Sequence, residues 1–289
     1  MAAATLPGRG APTRVRLARG TAFARRHVSL VAGGVLVGVL VLLAVFAPVI
    51  TPVSPLAQDL RHPFAGLSAA HPFGTDALGR DIAARVIYGA RYSLLEAGIA
   101  IALSSIVGTA LGLVAGAVGG AVDQGVMWVM DILFAFPGIV LALLVLSLLG
   151  PGLVDMLLAI ALFSVPVYAR LARNLAAGLN RAGYVEAAVA MGAGLPRILL
   201  RHILPNAAGP IIVQCAVSAG SVILTAASLS FLGLGVQPPA PEWGAMMSDG
   251  RATVGAFVLP SLFPGLAIAL AVLGFNLLGE GLRGLSDGA

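Results

Sequence analysis

Long apolar runs separated by short polar stretches set the pattern of this chain. Six runs stand out, at about 28–50, 94–119, 125–149, 153–172, 208–235 and 255–280, all rich in Leu, Val, Ala and Gly and poor in charge. A helix rises about 1.5 Å per residue, so roughly 20 apolar residues cross a hydrocarbon core of about 30 Å. None of the runs alternates with a period of two, as the strands of a membrane barrel must. The pattern predicts an all-α integral membrane protein with six transmembrane helices.

Three of the polar stretches are long enough to fold. In 51–93 the first part is proline-rich, and Asp76 to Leu94 reads as helix, with Leu78, Ile82 and Val86 on one side and Arg80, Asp81, Arg85 and Arg91 elsewhere. An amphipathic helix lying at the interface and a simple extension of the second span both fit. In 236–254, the prolines at 238, 239 and 241 bar regular helix, and Trp243 suits the headgroup level. The stretch 173–208 accommodates two short helices. The first runs from Arg181 to Met191 and is ended by Gly192 and Gly194. The second opens on Pro196, a residue suited to the first helical position, and is stopped after Ile203 by Pro205. Ala187, Ala188 and Ala190 give the first helix a smooth surface beside Tyr184 and Glu186. Arg197 and Arg201, four apart, share one face of the second, opposite Leu195, Ile198, Leu199 and Ile203. Such a connector suits insertion into a groove on a partner protein; a plain interfacial linker between two spans fits the pattern equally.

Composition agrees with the membrane assignment: 59% of residues are hydrophobic and 10% charged, against about 25% charged in a soluble domain. The net charge of +5 comes from seventeen arginines and no lysine. They are scattered over loops and a tail without aromatic interleaving, which argues for membrane orientation rather than nucleic acid. With the amino terminus inside, the cytoplasmic side holds the six tail arginines (9, 14, 16, 19, 25, 26) with Arg170, Arg173, Arg181, Arg197, Arg201 and Arg283. The outer side holds Arg61, Arg80, Arg85, Arg91 and Arg251. Twelve against five is the positive-inside direction. The run after the tail exceeds the roughly 7–15 residues of a signal-peptide core, and Pro48 would hinder cleavage after Ala44–Ala47, so it is read as a retained span. The organisation expected is a cytoplasmic tail 1–27, a first span 28–50, an outer loop 51–93, a five-helix core 94–280 containing the cytoplasmic connector 173–208, and a cytoplasmic tail 281–289. The single cysteine, Cys215, permits no internal disulfide.

Candidate chemistry is sparse. A phosphate-binding Walker sequence needs a lysine, and there is none, so the chain is not by itself a P-loop ATPase. The histidines (His27, His62, His71, His202) are scattered, no cluster has metal-ligand spacing, and neither GxSxG nor HExxH occurs. No catalytic or metal site is expected. Glu96, Asp123, Asp131 and Asp155 fall near span ends and read as solvated helix termini rather than as a relay. The glycine-rich stretch Gly108–Gly120 fits a close helix–helix contact. A secondary transporter driven by an ion gradient is the alternative class, with Phe136-Pro137-Gly138 and Pro166 as candidate helix breaks. A membrane enzyme and a scaffold subunit are further alternatives.

The order Glu186-Ala187-Ala188…Gly192…His202-Ile203-Leu204-Pro205 resembles the EAA loop of ABC-importer permeases. His71 to Asp81 with Gly89 to Leu94, Asp131 to Pro137, Leu229 to Gly244, and Gly281 to Arg283 resemble further signatures of the dipeptide/oligopeptide/nickel branch, in the order of its C-type subunit. The resemblance covers nearly all of the chain except the tail. It implies the type I importer permease fold and a non-catalytic subunit in the cell membrane that translocates dipeptides or oligopeptides, nickel or another small solute being the alternative cargo. It also implies partners: a second, B-type permease, two ATPase subunits that bind ATP and Mg, and an extracytoplasmic substrate-binding protein. By the same resemblance, Glu186, Ala187, Ala188, Gly192, Arg197, Arg201, Leu204 and Pro205 form the loop on which the ATPases dock. No substrate contact is assigned.

Overall fold

The computed structural model describes residues 27–286. The arginines of the tail, and the last three residues of the carboxyl-terminal tail, lie outside the described residues. The elements are α1 (Val28–Ile50), α2 (Ile82–Val118), α3 (Gly120–Ala135), α4 (Gly138–Leu149), α5 (Leu153–Leu179), α6 (Gly183–Ala190), α7 (Leu195–Ile198), a π turn (Leu199–Ile203), α8 (Leu204–Phe231), α9 (Trp243–Gly250) and α10 (Leu259–Ser286). Five helical runs are long and apolar enough to cross a membrane, and α3 with α4 makes a sixth crossing bent by 92°. Two ends result: a loop end carrying 51–81 and 236–258, and a connector end carrying α6 and α7.

The elements depart from the expected bounds for local reasons. Asp81 caps α2, its carboxylate accepting from the Ala84 N–H at 2.7 Å. The helix therefore starts at Ile82, and 82–94 is the extension of the second span. The third crossing breaks at Phe136, whose backbone is extended (φ −92°, ψ 136°). Pro137 forces this, since its ring disfavours helical geometry in the residue before it. The fourth span continues through Pro166 to Leu179, seven residues beyond the apolar run. Pro205 was expected to stop a short helix; instead it sits in the first turn of α8, where a missing N–H costs little. With α7 and the π turn, one helical run extends from Leu195 to Phe231. The Leu204 N–H bonds to the Leu199 carbonyl, five residues back.

α2 and α5 pack backbone to backbone. A Cβ on Gly108, Gly112 or Gly116 would run into the carbonyls of Val165, Ala169 and Arg173 in turn. Both sets step by four residues, so the helices share one seam, as small residues allow in a membrane. This is the contact expected of the Gly108–Gly120 stretch, carried by its first three glycines. α10 closes the bundle against α1 and α8, and the central core joins Ile82, Ala100, Met156, Ile160, Ile223 and Trp243.

The loop end is built on buried charge. Arg80 donates to Asp76 at 2.5 Å and reaches Asp249 on α9 at 3.3 Å. Arg85 lies 3.8 Å from Asp76 and 3.9 Å from Asp249, and both arginines are buried. Phe64 stacks on Phe257 and Phe73 on Phe263 at centroid distances of 4.2 and 4.0 Å, seating the first loop on the segment before and within α10. Trp243, expected at the headgroups, is instead buried (1% exposed), and its indole N–H donates to the Val86 carbonyl at 2.9 Å. The prolines keep 236–242 irregular, but α9 follows at once.

Candidate functional site

The connector is one compact turn. α6 ends at Ala190; the Gly192 N–H then bonds to the Val189 carbonyl at 2.9 Å, and the Ala193 N–H to the Ala188 carbonyl at 3.0 Å. Gly192 has φ +83°, a left-handed conformation that glycine adopts at no steric cost. Val185, Ile198 and Ile203 point inward onto Leu113, Ala172 and Ala176 of the bundle, so the fold fixes the connector on the ends of α2 and α5. Ala188 was expected on the exposed surface and is buried. Leu195, expected on the packed face, is exposed.

Exposed residues run through both helices of the connector. Tyr184, Glu186, Ala187, Val189 and Ala190 from α6, then Met191, Gly192, Arg197, Leu200 and Arg201, are all exposed. Met191 is 81% exposed and Leu200 67%. Of the eight residues expected at this site, Glu186, Ala187, Gly192, Arg197, Arg201 and Pro205 are exposed, Leu204 is half-buried and Ala188 is buried. An apolar patch rimmed by arginines marks a surface made for another protein or for lipid headgroups.

The four in-span acids take three different settings. Asp123 accepts three hydrogen bonds from Arg173, from Nε to both carboxylate oxygens at 2.9 and 3.2 Å and from Nη2 to Oδ2. Asp131 accepts from Arg170 at 2.7 Å, and that guanidinium also lies 4.2 Å over the Phe134 ring. These two are therefore ion pairs tying α3 to α5, where solvated helix ends were expected. Asp155 lies in the first turn of α5, as a helix-end acid should. Glu96 departs furthest: it is 3% exposed, and neither carboxylate oxygen has a hydrogen-bond partner. It was placed at a span end because the apolar run begins at 94, whereas α2 begins twelve residues earlier. Its neighbour Glu242 is fully buried, accepting from the N–H groups of Gly244 and Ala245 at 2.8 and 2.7 Å as the cap of α9. Burial pushes the Glu242 carboxyl above its ordinary range, and the two backbone bonds oppose the shift.

A second feature was missed altogether. Beside the Phe136 bend, a cleft opens between α3, α5 and α8, lined by Phe163, Ser164, Tyr168, Ser218, Ser221 and Thr225 among others. Its signal was present in the sequence as hydroxyl residues recurring along the fifth apolar run. Among the described residues no group of His, Cys, Asp and Glu is placed to hold a metal.

Comparison with known proteins places this geometry. Residues 108–288 match the binding-protein-dependent transport system inner membrane component family, and residues 24–68 match the N-terminal TM domain of oligopeptide transport permease C. The chain is 44% identical to the dipeptide transport system permease protein DppC of Alkalihalophilus pseudofirmus, covering 91% of this chain and 86% of that one. It is also 44% identical to the glutathione transport system permease protein GsiD of Pectobacterium atrosepticum, covering 92% and 88%. The GsiD of Salmonella paratyphi A is 46% identical over the same shares. In three dimensions it is similar to a chain of the MetNI methionine ABC transporter in an inward-facing conformation, with a TM-score of 0.55, 17% identity, and coverage of 71% of this chain and 96% of that chain. The six-crossing bundle with its exposed connector is therefore the fold of an ABC-importer permease, and the chain belongs to the family of binding-protein-dependent transport system inner membrane components.

Proposed function

We propose that this chain is the C-type permease of a peptide importer in which ATPase subunits dock on the 183–205 connector. The observation that carries the reading is the connector itself: an exposed turn rimmed by Arg197 and Arg201, rigidly seated on α2 and α5. Glu186, Ala187, Gly192, Arg197, Arg201 and Pro205 form the docking face, while Leu204 packs on the bundle and Ala188 is buried. Both termini and the connector lie in the cytoplasm, in keeping with the arginine distribution. A second, B-type permease completes the path, an extracytoplasmic binding protein delivers cargo, and ATP with Mg binds on the partner ATPases. Relatives named for dipeptide and glutathione transport support a peptide-like cargo. Closure of the ATPase dimer moves the connectors, and the bundles rock to alternate access. The test is uptake of a radiolabelled tripeptide by the assembled complex in proteoliposomes. Uptake should require ATP inside the ATPase compartment and the binding protein outside. Uptake driven by an ion gradient without ATP would overturn the reading.

A further inference from the structure

α8 carries Gln214, Ser218, Ser221, Thr225 and Ser228, separated by four, three, four and three residues. That spacing of 3.5 holds them on one face of the helix. The face is not packed away: Ser221 is exposed and the others are half-buried. Ser221, Thr225 and Ser228 donate back to their own helix carbonyls at 2.8, 2.8 and 2.7 Å, which leaves each hydroxyl oxygen free to accept. Hydrocarbon offers such a row of polar groups no partner.

Tyr168 points independently to a ligand in the same place. It projects from α5, is 1% exposed, and lines the cleft with Ser164, Ser218, Ser221 and Thr225. No partner meets its hydroxyl at full hydrogen-bond geometry, and Ser218, Cys215 and Ser104 stand near enough to interact with it. A phenol buried without a well-formed partner is costly. The cleft contains no charged side chain. Its apolar wall is aromatic, from Phe134, Phe136 and Phe163.

We infer that this face of α8, with Tyr168, is a neutral hydrogen-bonding subsite of the translocation path that takes the backbone amides of the cargo. The inference rests on the reading of the chain as a peptide importer. Uncharged donors and acceptors suit amide groups, which every peptide presents alike, and aromatic faces accept varied side chains without selecting among them. A carrier of mixed peptides needs recognition of that kind. It predicts little discrimination between peptides at this point of the path.

The test uses the assembled complex in proteoliposomes with Cys215→Ala as background and single cysteines at Ser221→Cys, Thr225→Cys and, on the opposite face of α8, Ile212→Cys. A membrane-impermeant maleimide should modify positions 221 and 225 at least tenfold faster than 212. A tripeptide supplied with its binding protein and ATP should slow modification at 221 and 225 at least threefold. Separately, Tyr168→Phe should raise KM for tripeptide uptake about threefold to tenfold, the loss of one hydrogen bond, with a melting temperature no lower than that of the parent complex. Modification at 221 and 225 no faster than at 212 would mean that this face meets lipid or the second permease, and would overturn the subsite. Peptide uptake without protection at 221 and 225 overturns the subsite and leaves the importer reading standing. Absence of peptide uptake by the unmodified complex overturns that reading, and the peptide assignment of the face with it.

Discussion

Glu96 and Glu242 meet in the interior between α2 and α9, and their settings differ. Glu242 is held by two backbone N–H groups, whereas Glu96 has no partner for either oxygen. Replacing an unpartnered buried acid by an apolar side chain of similar shape removes a desolvation cost of about 1–3 kcal/mol. Glu96→Met should therefore raise the melting temperature of the purified complex; a lower value would show that Glu96 has a stabilising partner. In that background Glu242 can be titrated alone. Its carboxyl is raised above the ordinary 4.5 by burial, so the folded state holds the proton more tightly than the unfolded one. The stability this gives is present at acid pH and is lost as pH rises from 4.5 through the raised value. Glu96→Met should accordingly melt at falling temperature over that interval, and adding Glu242→Gln should flatten the profile. An equal slope in both proteins would assign the pH dependence to other groups.

Among the elements, the connector puts the heaviest demand on a single residue. Gly192 at φ +83° has open space around it, so a side chain there meets no wall within this chain. It would strain the backbone by about 1–2 kcal/mol and project from the proposed docking face. Gly192→Arg should insert and assemble, hydrolyse ATP, and lose uptake by at least tenfold. Normal uptake by that variant would remove Gly192 from the coupling surface. The connector was legible in the sequence because polar residues interrupt apolar runs there, and glycines and prolines mark its turns. Pro205 was misplaced because proline ends one helix and begins another with equal ease; only the π turn before it decides which. The length of α2 was half-legible. Its apolar core announces a span, but its first turns carry Arg85, whose charge partner Asp249 is supplied by a distant helix. Likewise Ala188 and Leu195 exchange roles because α6 and α7 meet the bundle at angles that a helical wheel does not contain. The cleft on α8 left a regular trace in the sequence, but Tyr168 joins it from another helix, and that juxtaposition is purely tertiary.

For the whole molecule, the seam of glycines along α2 and α5 makes those two helices one stiff body, and the connector rests on its end. The bent α3–α4 crossing joins this body through Arg170–Asp131 and Arg173–Asp123. A force applied at the connector is thus delivered to the bundle as rotation of a rigid unit. On the proposed docking of ATPase subunits, the attachment of that force is electrostatic at the rim. Arg197→Glu with Arg201→Glu should weaken ATPase assembly at least tenfold and abolish its sensitivity to salt, as measured by co-purification at rising ionic strength. Unchanged assembly and salt response would place the contact elsewhere on the connector.

The ion pairs at the loop end also set an order of manufacture. Arg80 waits for Asp249, a partner 169 residues further along the chain. At about 5–20 residues per second, translation leaves the arginine without that carboxylate for on the order of ten to thirty seconds, while three later crossings are threaded. Asp76, four residues away, is already present to neutralise it. The nearby acid acts as a travelling counterion for a basic group that is made early, and the distant one fastens the first loop only when the bundle is nearly complete.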